Sequence, residues 1–186
     1  MNIEFPLKTV ASLLVVTALT AACNPFTPKA SAPQYPQDPR FAPFTVTAEN
    51  TPVFGNDIDY LDHRMPNLRA TEGHYAQNLV ADSGWIPVPE TKFWFAGVVT
   101  VSDETIAQTQ REIEGHAQLL PGIHPDLYHY VPQECEFNSV PADRANTILD
   151  TAAHSYPHGT DSFSVTQLAV SPVCHLVVVT AEGENG

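Results

Sequence analysis

Histidine is the chemically active residue type that stands out in this sequence, with eight copies. The tightest group is in the segment HPDLYHY, which contains His124, Asp126 and His129. Two imidazoles and a carboxylate converging at about 2 Å form a typical ligand set for zinc or copper. Pro125 excludes a regular helix through His124, so the spacing alone does not bring the three side chains together. A metal site at these residues is therefore one hypothesis, and unliganded loop histidines are the simpler alternative.

Common catalytic signatures are absent from the sequence. There is no GxSxG, HExxH or SxxK motif and no glycine-rich phosphate loop, so no cofactor is indicated. Active sites also assemble from residues far apart in the chain. An envelope enzyme of unrecognised type therefore stays open as a further alternative.

Two tyrosines, Tyr128 and Tyr130, are the candidate residues for contact with a partner. They lie in LPGIHPDLYHYVP, which together with WFAGVVTV supplies the apolar stretches expected to be exposed. Tyrosine suits an interface because its ring buries area while its hydroxyl stays polar. The alternative is that these residues form core beneath a long loop.

The charge balance argues against nucleic acid as a partner. The chain has 186 residues and a formal net charge of -13, from 8 Lys and Arg against 21 Asp and Glu. Nucleic acid and anionic headgroups need cationic surfaces. The acidic residues are scattered along the chain, which is typical of a solubilising surface, although a cationic partner also fits.

The first 23 residues resemble the signal peptide and lipobox of bacterial lipoproteins. Residues 9–22 carry no charge and follow Lys8, a pattern typical of a signal peptide and too short to span a bilayer. The small residues Ala21 and Ala22 directly precede Cys23, while Thr20 stands where the family prefers leucine.

This resemblance implies cleavage before Cys23 and a diacylglyceryl thioether on its sulfur. The domain would then face the extracytoplasmic side of a cell membrane, held there by the lipid on Cys23. The alternatives are ordinary signal cleavage, with Cys23 left as a free thiol, and a membrane-spanning anchor. The stretches LPGIHPDLYHYVP and LAVSPVCHLVVVTAEG also resemble small corynebacterial and related actinobacterial lipoproteins, but carry no motif of known activity.

If Cys23 carries a lipid, Cys135 and Cys174 are the two cysteines that remain. Exported proteins favour disulfides, and an odd thiol would stay reactive. We therefore expect a Cys135–Cys174 disulfide, worth about 4 kcal/mol in the chain-entropy model. Two unrelated buried thiols are the alternative.

A proline-rich segment separates the predicted anchor from the predicted domain. Residues 23–43 contain six prolines in a polar stretch, which favours an extended tether reaching up to roughly 60 Å. Part of this segment could instead pack along the domain beyond Gln37. The domain organisation is then a signal peptide at 1–22, a tether at 23–43 and one domain at 44–186.

The domain pattern predicts an α+β fold with about four antiparallel strands and two helices on one face. Residues 92–101 are apolar on both sides, which indicates an inner strand. Ser102 begins a predicted helix that continues to about Leu120, and Pro141 begins another. A strand is predicted at 135–140, and a hairpin joins 163–170 to 175–183. Residues 44–50 predict a short edge strand, and 71–84 a short helix or loop.

Together these observations predict a lipid-anchored extracytoplasmic protein that binds or scaffolds an unknown envelope protein or ligand. Its tether would hold a small acidic domain at a set distance from the membrane. A metal-binding lipoprotein and an envelope enzyme are the competing hypotheses.

Overall fold

The architecture is one antiparallel sheet covered on both faces. A computed structural model describes residues 37–46, 51–79, 91–154 and 162–185. Within these ranges the chain forms seven strands, three α-helices and two 3₁₀ helices. The α+β class is thus confirmed, whereas four strands are too few, because the prediction omits the short strands Val53–Gly55 and Gly115–His116 and the ten-residue strand Ala70–Leu79.

The strands are β1 Val53–Gly55, β2 Ala70–Leu79, β3 Thr91–Val101, β4 Gly115–His116, β5 Asn138–Val140, β6 Ser162–Ser171 and β7 Leu176–Asn185. They lie in the order β1-β2-β3-β7-β6-β5-β4, and every neighbouring pair is antiparallel. The helices are α1 Ile58–Arg64, α2 Asp103–Gln110 and α3 Ala142–Leu149, with 3₁₀ helices at Pro125–Tyr130 and Thr151–His154. None of the helices in the described ranges has the length and apolar character of a membrane span.

Strand β3 lies at the centre of the sheet between β2 and β7, as its sequence predicts. Phe95 and Val99 belong to the apolar cluster on one face, and Trp94 and Val98 to the cluster on the other. All four are buried. Alternate residues of a strand face opposite sides, so a strand covered on both sides is apolar throughout.

The helix-covered face, defined by Phe95 and Val99, packs against all three α-helices. Leu61 of α1, Ile106 of α2 and Leu149 of α3 join its cluster. The two helices predicted from the sequence therefore share one face, and α1 joins them there. Asp57 begins α1 by accepting hydrogen bonds from two backbone N–H groups.

The loop-covered face, defined by Trp94 and Val98, is covered by residues 37–46 and 117–137. Phe41, Ile123, Leu127 and Phe137 belong to its cluster, which holds no α-helical residue among those described. This face is closed by irregular chain, one 3₁₀ helix and a disulfide.

Helix α2 is shorter than the sequence predicts. The apolar spacing extends it to about Leu120, but it ends at Gln110. Beyond it, the Glu114 N–H donates to Ser139 O and the Ala117 N–H to Phe137 O, so pairing beside β5 replaces the helix. Ala117 and Leu120 consequently pack on the loop-covered face, opposite Ile106.

Residues 70–79 form a strand, so the helix or loop predicted over 71–84 is wrong in that range. Gly73 permits the strand to lie directly beneath α1, because a Cβ there would collide with Leu61 Cδ1. Residues 44–46 form no strand, and the rest of the strand predicted at 44–50 lies outside the described residues.

The end of the predicted tether packs along the domain. Phe41 is buried, the Ala42 N–H donates to Leu120 O, and the Leu120 N–H donates to Arg40 O. Residues 38–43 thus form part of the loop-covered face. Cys23, the signal peptide and residues 23–36 lie outside the described residues.

Cys135 and Cys174 form a disulfide, with their Cα atoms 6.0 Å apart. Cys135 precedes β5, and Cys174 lies in the turn between β6 and β7. The bond therefore ties the segment that covers the loop-covered face to the central hairpin.

Candidate functional site

The candidate site is built around the 3₁₀ helix Pro125–Tyr130. His124 begins this helix, because its Nδ1 accepts a hydrogen bond from the Asp126 N–H at 3.2 Å. Pro125 suits the first position, since it has no N–H to leave unpaired. Leu127 is buried and fixes the helix to the loop-covered face. The helix thereby sets the positions of Asp126 and Tyr130.

His124 is enclosed by aromatic rings. Its ring is parallel to that of Trp94 at 6.3 Å between centroids, and Phe44 and Phe54 approach edge-on at 5.2 and 5.1 Å. Burial lowers the pKa of His124, and the Asp126 carboxylate opposes this more weakly. Because Nδ1 accepts a hydrogen bond, the neutral imidazole is the form that fits this environment.

The predicted metal ligands do not form a metal centre. Across residues 37–46, 51–79, 91–154 and 162–185, no group of three His, Cys, Asp or Glu side chains is arranged to hold a metal ion. His124 is buried and caps the helix, whereas Asp126 and His129 are exposed. The His129 ring packs on that of Tyr130, with 3.8 Å between centroids. The three residues are adjacent in sequence but do not converge on one point.

The amino-terminal segment of the domain contacts the chain just after the carboxyl-terminal end of the 3₁₀ helix. Arg40 pairs with Asp38 at 2.8 Å and donates to the carbonyl oxygens of Val131 and Pro132 at 2.9 and 3.1 Å. The Arg40 hydrogen bond holds the pKa of Asp38 below its usual value, although burial acts in the opposite direction. Residues immediately after the helix are thus tied to residues immediately after Gln37.

Tyr128 and Tyr130 have different surroundings. Tyr128 is half-buried and stacks on Phe41 at 4.3 Å, and burial raises the pKa of its hydroxyl. Tyr130 stacks on His74 of β2 at 3.6 Å and borders a pocket. Of the two predicted contact residues, Tyr130 is therefore the one at a pocket, and Tyr128 packs against the amino-terminal segment.

We call this pocket the aromatic pocket. Its volume is about 250 Å³. Its lining residues are Phe54, Gly55, His74, Tyr75, Asp126, Leu127 and Tyr130. Phe54 is 45% exposed, and the Asp126 side chain is 70% exposed. Glu72 adds a second exposed carboxylate, 3.6 Å from His74. The pocket thus combines aromatic walls with an acidic rim.

Other apolar stretches singled out in the sequence are not surfaces. The segment WFAGVVTV belongs to β3 and is buried, because β3 is central in the sheet. Ile123 and Leu127 in the second segment are buried as well. Sequence reasoning missed Phe54 and His74, since neither belongs to a motif and only the pairing of β1 with β2 brings them near Tyr130.

Comparison with known proteins adds no functional information to the geometry of the site. No family model matches the chain, and no curated protein or solved structure is significantly similar to it.

Proposed function

We propose that this protein is a lipid-anchored extracytoplasmic binding protein whose aromatic pocket takes an alkylammonium group. The observation that carries the proposal is the grouping of Phe54, Tyr75 and Tyr130 beside the Asp126 carboxylate. Such a group could come from a small cation or from a lysine side chain of an envelope protein. In both cases the pocket would recognise the same positively charged alkylammonium group.

Electrostatics favour a cation over an anion in this pocket. Aromatic faces carry negative charge density and attract ammonium groups, most strongly when water is excluded. Phe54 offers an exposed ring. The Tyr130 ring is instead stacked against His74 and His129, so Tyr130 would contribute its hydroxyl oxygen. Asp126 adds a full negative charge to the pocket lining, Glu72 lies beside the lining residue His74, and no Lys or Arg lines the pocket among the described residues. The net charge of -13 further favours the approach of cations.

The proposed anchor suits a contact function. Residues 38–41 pack against the segment that carries the site, through Arg40 and the Phe41–Tyr128 stack. A proline-rich tether leading from a lipid on Cys23 would deliver the chain to that same face.

The test compares choline with its neutral isostere 3,3-dimethylbutan-1-ol, titrated into the full-length protein at low salt. We expect choline to bind at least tenfold more tightly, because the two molecules differ mainly in charge. Tyr130→Ala should weaken choline binding about tenfold, and Asp126→Asn severalfold. Asp143→Asn is the matched control, since Asp143 is exposed on α3 and away from the pocket.

Equal binding of the two compounds would contradict the proposal. So would an unchanged choline affinity in Tyr130→Ala, or no saturable binding up to about 50 mM choline. A loss of affinity in Asp143→Asn equal to that in Asp126→Asn would point to bulk charge instead of a site.

The anchor has its own test. Cys23→Ala should release the protein from the membrane fraction, and the mature wild-type protein should carry the mass of acyl chains. A variant that still sediments with membranes after a salt wash, or a mature protein without acyl mass, would contradict the lipobox interpretation.

A further inference from the structure

A second pocket lies on the helix-covered face, between the end of α1 and the sheet. Its volume is about 230 Å³, and none of its described lining residues belongs to the aromatic pocket. Arg64, Tyr60, Gln77 and Asn78 supply its polar atoms, and Phe93 and Leu79 contribute apolar walls.

Arg64 is a half-buried cation without a carboxylate partner among the described residues. Arg40, Arg69, Lys92 and Arg144 all pair with acidic side chains. Arg64 Nε is buried and has no hydrogen-bond acceptor among the described residues. Arg111 also lacks an acidic partner among the described residues but is exposed, whereas Arg64 is half-buried, and a half-buried guanidinium without a carboxylate needs a physical reason.

Aromatic rings surround this guanidinium. Its central carbon lies 5.1 Å from the ring centroid of Phe93, 5.6 Å from that of Tyr60 and 5.8 Å from that of Phe163. Such contacts compensate in part for desolvation of the charge. They do not satisfy its N–H groups, which need acceptors in the plane of the fork. The rings therefore hold the guanidinium in place without supplying an acceptor for its Nε.

Gln77 provides a second donor in the same pocket. The Tyr60 hydroxyl donates to Gln77 Oε1 at 2.5 Å, which fixes the amide so that its NH₂ group remains a donor. An acceptor in the pocket could thus meet the guanidinium and an amide together. The walls beside them are apolar.

We propose that this pocket binds the carboxylate of a small organic acid with an apolar body. A carboxylate accepts two parallel hydrogen bonds from a guanidinium, and its apolar part would contact Phe93 and Leu79. The volume lies below the range of drug-sized ligand sites, so the acid is small. One cation in an acidic protein favours a monocarboxylate over a phosphate, which carries more negative charge.

The test titrates the full-length protein with benzoate and with benzamide, which has nearly the same shape without the charge. We expect benzoate to bind at least tenfold more tightly than benzamide. Arg64→Gln should lower the benzoate affinity at least tenfold. Arg111→Gln is the matched control, because Arg111 is an exposed arginine outside the pocket, and it should leave the affinity unchanged.

Arg64→Lys is a second variant, in case Arg64→Gln fails to fold. It keeps the positive charge but lacks the planar guanidinium with its parallel N–H donors. We expect a severalfold loss with this variant. In the wild-type protein, benzoate should shift the NMR signal of the Gln77 side-chain amide, a readout that needs no variant. Equal binding of benzoate and benzamide, full affinity in Arg64→Gln, or an unmoved Gln77 signal at saturation would each overturn the proposal.

Discussion

The two faces of the sheet are closed in different ways. Three α-helices cover one face through Leu61, Ile106 and Leu149, and each helix satisfies part of its backbone hydrogen bonding internally. The other face is covered by irregular chain held by side chains, including Arg40, His124 and the Cys135–Cys174 disulfide. Side-chain hydrogen bonds also hold the helices, such as those of Asn146 with the Val165 backbone, but the irregular cover lacks α-helical backbone bonding and has a disulfide in addition.

This difference also separates the pockets. The aromatic pocket lies where the irregular cover meets the edge strands, and its residues come from β1, β2 and the 3₁₀ helix. Loops carry binding residues on a rigid scaffold in many proteins. The loop-covered face should therefore be the easier one to loosen, and its loosening should affect binding of choline.

Removal of the disulfide should have the largest effect. A double Cys135→Ser and Cys174→Ser variant should lose about 4 kcal/mol of unfolding free energy, because the unfolded chain is no longer closed into a loop. Denaturant unfolding of the full-length protein measures this, and reduced wild type should match the variant. An unchanged free energy of unfolding would contradict the importance of this bond for the loop-covered face.

Truncation of one buried leucine on each face separates stability from binding. Leu61→Ala and Leu127→Ala should each cost about 3 kcal/mol, because both side chains are fully buried. Among the molecules still folded, we expect weaker choline binding in Leu127→Ala alone, since Leu127 lines the aromatic pocket. Equal choline affinities in the two variants would contradict the assignment of choline binding to the loop-covered face.

Arg40 offers a smaller test of the irregular cover. Arg40→Gln should cost about 1 kcal/mol, because it removes a half-exposed ion pair and two bonds to backbone carbonyls. Arg111→Gln is the control on an exposed arginine and should change the free energy of unfolding far less. The two variants can be compared by thermal unfolding, and equal losses would show that Arg40 does not hold the segment.

The smallest expected effect is a change in pH dependence at His124. Burial lowers its pKa in the folded state, so the unfolded chain takes up a proton first as the pH falls below about 6.5. The stabilisation is complete above that pH and declines below it. His124→Gln should flatten the fall in unfolding free energy between about pH 7 and 5. A wild-type slope in His124→Gln would contradict the assignment.

Much of the helix-covered face could be predicted from local patterns. The apolar run of β3, the β6–β7 hairpin and the start of α2 at Ser102 all appear as predicted, and the Ser102 side chain accepts a hydrogen bond from the Thr105 N–H. These features depend on periodicity and capping within a few residues. The end of α2 could not be predicted this way, because pairing beside β5 determines it.

The candidate site was predictable only in part. Tyr130 and Asp126 stand out in the sequence because they share one short segment. His74 lies in β2, which its polar side chains make hard to predict as a strand. Its stack with Tyr130 depends on tertiary packing, which leaves no local pattern. Arg64 was missed for a similar reason, since the rings around it come from α1, β3 and β6.

The central claim is that the loop-covered face carries the binding site, and its most direct test is an NMR map of choline binding to the full-length protein. We predict saturable shifts confined to residues around the aromatic pocket, led by Phe54, His74 and Tyr130, and absent with 3,3-dimethylbutan-1-ol. Shifts centred on Arg64 and the helix-covered face, or scattered over acidic residues without saturation, would contradict the account.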